Sequence, residues 1–284
     1  FLGIAGAIAV NGYDGFLYAL DSTSGEMKWR YDTGSPVVGG AAVLGDSVFV
    51  GSSDGCLYSL SNTAGQTSAN KKWQFCTEGS IWSQPVIVDQ SLFVTSMDGN
   101  LYSLDLQTGQ QKWQKPFAAG GAIPTTAVAN DGDLLVGALD RRLHAVDKAT
   151  GNEAWNFAVD NWLWTDPLVV DGRVFVGSLD GRIYAVDPER VTTSNAAEWT
   201  FSTDAGVRSQ PALVNGTLVI ADRDGRIYGL DASNGAEKWR GQLGSAVMAN
   251  LTVADNLVYV KSQDGKLRSI DPANGTVTDI PFGP

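Results

Sequence analysis

Short apolar runs, many of them β-branched, alternate with tight glycine-containing turns from one end of this chain to the other. The stretch Val48–Trp73 is representative: VFVG, a turn SSDG, then CLYSL, a variable turn and KKWQF. Anchored on the Asp that opens the central turn, the pattern recurs at Asp14, Asp54, Asp98, Asp140, Asp180, Asp224 and Asp264, with separations of 40, 44, 42, 40, 44 and 40 residues. Self-similarity at such a period defines a repeat architecture.

Each repeat predicts four strands. The first is an apolar run behind a small residue or proline, as in Pro85–Val88 and Pro167–Val170, and the second is β-branched, as in Val48–Val50 and Val174–Val176. The Asp-Gly turn that follows supplies the positive φ a tight hairpin requires. The third strand is Leu17–Asp21 and its copies starting at 57, 101, 143, 183, 227 and 267; the fourth carries Trp29, Trp73, Trp113, Trp155, Trp199 or Trp239. Between the third and fourth, Asp21 and Gly25, Asp105 and Gly109, Asp147 and Gly151, Asp231 and Gly235, and Asp271 and Gly275 keep one spacing. That is the signature of an Asp capping its own turn with Gly in the left-handed position.

Four antiparallel strands in about 40 residues make a propeller blade. The 33 glycines and the absence of a 3.6-residue apolar period exclude a helical solenoid. The expected fold is all-β, a seven-bladed β-propeller of four-stranded antiparallel blades forming a single domain over 1–284. Its blades fall at about 1–33, 35–77, 80–116, 121–158, 162–203, 206–242 and 245–281, with insertions in 61–70 and 188–199. An eighth blade outside this sequence is the alternative. Residues 1–5 can supply only a stub of inner strand. In the last blade Arg268 stands where Tyr is expected and Asp279 where Trp is expected. The six repeat tryptophans are read as structural, filling the wide outer wedge between blades. His144, the only histidine, replaces the repeat Tyr as wedge filler, and Arg141 replaces the turn Gly of the same blade.

With 20 basic and 31 acidic residues the net charge is -11, which would repel a phosphate backbone and argues against nucleic-acid binding. No apolar run reaches the length of a membrane-spanning helix. Phe1–Val10 is apolar but reads as strand, and it is too short for a complete signal peptide. Cys56 opens a third strand and Cys76 closes the fourth, so a hairpin would set them nearly opposite. A cross-strand disulfide is expected, with two separate thiols as the competing reading. If formed, it points to an oxidising compartment.

The repeat VFVGSxDGxLYALDxxTGxxxW, with its following TG and SQP-type strand, resembles the PQQ-like (pyrroloquinoline quinone) propeller repeat over residues 7–280. Families with that repeat include quinoprotein dehydrogenases and the BamB-type outer-membrane assembly lipoproteins. The resemblance implies a periplasmic or extracellular location, either free or anchored through a segment outside this sequence. It identifies the repeat better than the activity, because one fold hosts many functions.

Counting back from the proline of each inner strand collects Val37, Trp82, Ile123, Trp164, Arg208 and Val247. A second set is Gly39, Gln84, Thr125, Asp166, Gln210 and Ala249, with Trp162 beside Trp164. Placed at one mouth of the channel, Trp82, Gln84, Trp162, Trp164, Asp166, Arg208 and Gln210 are the candidate partner-binding residues, since Trp and Arg dominate interface hot spots. Packing between inner strands is the competing use of Trp82 and Trp164. No catalytic residue, metal site or cofactor is expected. One histidine cannot build a Ser-His-Asp set or a histidine-rich metal site, and neither Cys-Cys nor a haem-attachment motif is present. The expected function is a non-catalytic, extracytoplasmic, monomeric scaffold, BamB-like, that binds a protein partner, either soluble or membrane-associated. A ligand-binding sensor module and a quinone-dependent dehydrogenase are the alternatives.

Overall fold

The strands expected from the repeat pair as expected. The computed structural model describes every residue except 1, 2, 5, 6, 63–67, 195 and 282–284. Among the described residues there are seven four-stranded antiparallel sheets, each built from strands consecutive in sequence. The fold is all-β, a seven-bladed β-propeller. The stub expected in 1–5 is the strand Gly3–Ile4, paired with Ala7–Ile8. Of the two insertions, the second forms the short helix Pro188–Ser194, while the first falls largely on 63–67, outside the described residues.

By its internal contacts the chain divides into two compact units, Phe1–Leu134 with Val146–Ala154, and Leu135–Ala145 with Trp155–Pro284. In the first, apolar cores lie between neighbouring sheets: Leu17, Trp29, Val48 and Tyr58 in one, Phe49, Leu57, Ile81 and Tyr102 in the next. In the second, the same arrangement uses Leu143, Phe157, Val174 and Tyr184, then Phe175, Ile183, Leu218 and Tyr228, then Val219, Ile227, Val258 and Ile270. Middle strands such as Ser91–Thr95 and Thr217–Ala221 are buried along their whole length, as a sheet covered on both faces requires.

Two devices recur through the blades. The Asp of the Asp-Gly turn accepts the backbone N–H two residues on and the Tyr hydroxyl four residues on. Asp54 does so for Cys56 and Tyr58 (2.8 and 2.5 Å), and Asp98 for Asn100 and Tyr102 (2.9 and 2.7 Å). His144 fills the Tyr position and keeps the clamp, its Nε2–H donating to Asp140 at 3.0 Å. Blade six departs, because Asp222, where blades two, three, five and seven have Ser, takes the Tyr228 hydroxyl and the Arg226 N–H in place of Asp224.

The second device links blades. Trp73 donates Nε1–H to Leu106 O at 3.1 Å, Trp113 to Lys148 O at 3.2 Å, Trp199 to Ala232 O at 3.2 Å and Trp239 to Pro272 O at 2.8 Å. Each acceptor directly follows the capping Asp of the next blade's turn, and the ring lies on that turn's glycine. A Cβ at Gly109, Gly151, Gly235 or Gly275 would come within 2.5–2.6 Å of an indole carbon, and all four have φ of 70–76°. These residues are glycine for two independent reasons, backbone hand and indole contact.

Three sequence expectations need correction. Trp113 is not on a paired outer strand: blade three's fourth strand is only Phe117–Ala118, with an isolated bridge at Gln111. Pro116 lies in the gap and has no N–H to give the ladder. In blade seven the residue opposite Ser269 is Thr278, and Asp279 faces Arg268. The reason is a bulge: in blades one, two and six Lys28, Lys72 and Lys238 are extra residues before the Trp, and blade seven has none. The third correction concerns the inner strands and bears on the site.

Candidate functional site

Chain segments leading into the inner strands alternate strictly in burial. Val37, Ile81, Ile123, Leu163 and Val207 are buried, and so are Gly39, Ser83, Thr125, Thr165 and Ser209; the residues between them are partly or fully exposed. Hydrogen bonds fix the equivalence, since Val37, Ile81, Ile123, Leu163 and Val207 each donate N–H to the turn of the preceding blade. The exposed series is therefore Val38, Trp82, Pro124, Trp164 and Arg208, followed by Gly40, Gln84, Thr126, Asp166 and Gln210. Val37, Ile123 and Val247, and with them Gly39 and Thr125, belong to the buried series. Ala249 is exposed, but by position it also falls outside the polar series, whose member is Asn250. Blades without a proline at the expected place shift the count by one, and in extended chain a one-residue slip reverses every side chain. Thr126 and Asn250 were missed for this reason.

In the first unit Trp82 donates Nε1–H to Ser53 Oγ at 3.2 Å, and Gln84 N donates to Thr126 Oγ1 at 3.3 Å. A cavity of about 400 Å³ opens beside Gln84, lined also by Asn11, Val38 and Gly40. The Asn11 amide N–H donates to Gly39 O, while its Oδ1 is buried with no partner.

In the second unit the same positions form a polar network. Gln210 N donates to Asn250 Oδ1 at 2.9 Å, Gln210 Nε2 to Pro167 O at 2.9 Å, and Asn250 Nδ2 to Asp166 Oδ2 at 3.1 Å. Above it, the Arg208 guanidinium lies over the Trp164 ring, 4.4 Å from its centroid. Burial, with Arg223 nearby as the lesser cause, lowers the Arg208 pKa from its ordinary value. Trp162, two residues before Trp164 and in the same exposed series of the segment, has 47% of its surface exposed. Contacts thus join Arg208 to Trp164 and Gln210 to Asn250 and Asp166, Trp162 lies two residues along the chain from Trp164, and Trp82 and Gln84 form a separate group within the first unit. Among the described residues no set of three or more His, Cys, Asp or Glu is placed to hold a metal ion.

A family model described as outer membrane protein assembly factor BamB matches residues 4–122, 118–194 and 180–278. The chain belongs to that family. Among solved structures, BamB from Moraxella catarrhalis is similar with a TM-score of 0.64 and 20% identity, over 93% of this chain and 91% of that one. A computationally designed protein, Ika8, is similar with a TM-score of 0.79 and 17% identity, over 98% of this chain and 82% of that one. At such identities these likenesses show the fold alone. No curated protein matches the chain. The Cys56–Cys76 disulfide of this BamB-family chain is present, between directly paired residues with Cα atoms 4.0 Å apart. It is compatible with an extracytoplasmic setting, and no helix of the described residues is long and apolar enough to cross a membrane.

Proposed function

We propose that this chain is a non-catalytic, extracytoplasmic scaffold of the BamB type that holds a protein partner on the inner-strand rim of its second unit. The observation that carries the reading is the Trp164–Arg208 stack, with half-exposed Trp162 two residues along the chain from Trp164. Large rigid aromatics and a guanidinium with a preset orientation lose little freedom on binding, which is why such residues dominate interface energies. The Asp166–Asn250–Gln210 network below fixes the strands that present them.

A binding role without chemistry is consistent with where the reactive groups lie. His144 is 3% exposed and holds Asp140, and Asp166 is engaged by Asn250. The experiment is capture of a partner from native membranes by the wild-type chain and by the triple variant Trp162→Ala, Trp164→Ala, Arg208→Ala, with folding checked by circular dichroism. Loss of capture in the folded variant supports this rim; undiminished capture rejects it. Dye-linked alcohol or sugar oxidation after addition of pyrroloquinoline quinone and Ca²⁺ would overturn the non-catalytic reading.

A further inference from the structure

The rim of the second unit carries two cations with no carboxylate of their own. Arg208 is half-buried against Trp164, and Arg223 is exposed on the Asp-Gly turn of the same blade, whose N–H is tied to Gly206 O just before Arg208. Neither side chain makes an ion pair or a hydrogen bond with any described residue. Most other arginines of this unit are paired, Arg173 with Glu198 (2.5 Å), Arg226 with Asp204 (3.3 Å), Arg240 with Glu237 (2.6 Å) and Arg268 with Asp264 (2.6 Å), while Arg142 bonds the Asn156 amide and Arg141 has no ion pair among the described residues. In a chain of net charge -11 the lack is not for want of acids. The 2.9 Å bond from Arg223 N–H to Gly206 O, two residues from Arg208, sets the two arginines' backbones side by side, so that one incoming anion can meet both side chains.

Building on the rim reading above, we propose that Arg208 and Arg223 receive a carboxylate of an acidic segment in the protein partner, with an apolar neighbour of that carboxylate laid on Trp162. A guanidinium resting on an indole keeps its edge N–H groups free, and these match a carboxylate in fork geometry. The indole face offsets part of the cost of desolvating the cation. A dense anionic surface is a poorer occupant than a flexible segment, because Asp160 and Asp204 are also exposed in this unit and the whole chain is acidic. One carboxylate on an extended segment can reach the pair and leave those acids in water.

The test uses the full chain and fluorescein-labelled peptides of alternating Glu and Leu, or Gln and Leu, read by anisotropy. Inorganic phosphate and phosphatidylglycerol vesicles serve as competitors. The Glu peptide should bind the wild type about tenfold more tightly than the Gln peptide. That preference should shrink with added salt and vanish in Arg208→Gln/Arg223→Gln. Equal binding of the two peptides, a preference that survives in the double variant, or stronger competition by phosphate or vesicles than by unlabelled Glu peptide would each overturn the inference. Partner capture separates this from the broader reading. Capture lost with Trp162→Ala/Trp164→Ala but kept with the arginine pair neutralised leaves the rim and removes the carboxylate; capture kept by both variants removes both.

Discussion

Replacing Gly109 by alanine tests the link between the turns and the tryptophans. Gly25 occupies the same kind of turn, with φ of 74° against 70° at Gly109, but a Cβ there would meet nothing within 4 Å. Gly25→Ala therefore costs only the left-handed backbone term, about 1 kcal/mol. At Gly109 the new Cβ would sit 2.5 Å from Trp73 Cε3, so the indole must move. Moving it breaks the 3.1 Å bond from Nε1 to Leu106 O, about 1 kcal/mol. It also loosens the tilted contact with Phe49, about 1 kcal/mol more. Gly109→Ala should then cost about 3 kcal/mol, the sum of these contributions. In a Trp73→Ala background only the backbone contribution should remain, a coupling of about 2 kcal/mol in a double-mutant cycle. Urea unfolding of the four proteins, followed by circular dichroism, measures it. Equal costs at Gly25 and Gly109, or no coupling with Trp73, would refute the reasoning.

Other outcomes follow from single residues. Ala154 stands where blades one, two, three and six have Lys28, Lys72, Lys112 and Lys238, and Asp133, the counterpart of Ser91, has its pKa raised by burial and then by Asp147 and Asp131. A carboxyl raised on folding lowers stability as pH rises through its folded pKa. Ala154→Lys should remove that loss and add about 0.5 kcal/mol at pH 7, with no gain at pH 3, as read from melting temperatures. The turn carboxylates behave oppositely: Asp105, held down chiefly by the Thr108 N–H, and Asp231, held down chiefly by the Ser233 hydroxyl, have lowered pKa values. Their stabilisation is full above the unfolded carboxyl pKa of about 4 and lost as pH falls below it, so melting temperature should drop on acidification across that range. Breaking the disulfide with Cys56→Ser/Cys76→Ser should cost about 3 kcal/mol in urea unfolding and leave partner capture unchanged. Arg141→Gly should stabilise by about 1 kcal/mol, since Arg141 holds φ of 70° where six other blades have Gly; a loss of stability would show that its side chain has a role.

The blades were legible because the Asp-Gly turn, the capping Asp and the Trp are each demanded by local geometry and recur at spacings that change only where a turn carries an insertion. The disulfide was legible for the same reason, since the hairpin sets the register that makes Cys56 face Cys76. What spacing could not show was a change of register inside a spacing. The bulge at Lys238 and its absence in blade seven are invisible to counting from Gly275, so Asp279 was assigned the place of Thr278. The inner segments failed likewise, because proline marks the count in some blades and is displaced or missing in others. Matching the segments end to end, VVGG at 37–40, IWSQ at 81–84 and IPTT at 123–126, each two larger residues followed by two small or polar ones, was the better guide.

Tryptophans that anchor on a following blade also set a schedule for the growing chain. Trp29, Trp73, Trp199 and Trp239 each meet their acceptor 33 residues later. During synthesis each of these sheets presents an unsatisfied indole until most of its successor has emerged. At bacterial elongation rates of about 5–20 residues per second, that wait lasts a few seconds. Consolidation from the amino end should thus lag the ribosome by one sheet, with a newly exposed indole always at the growing front.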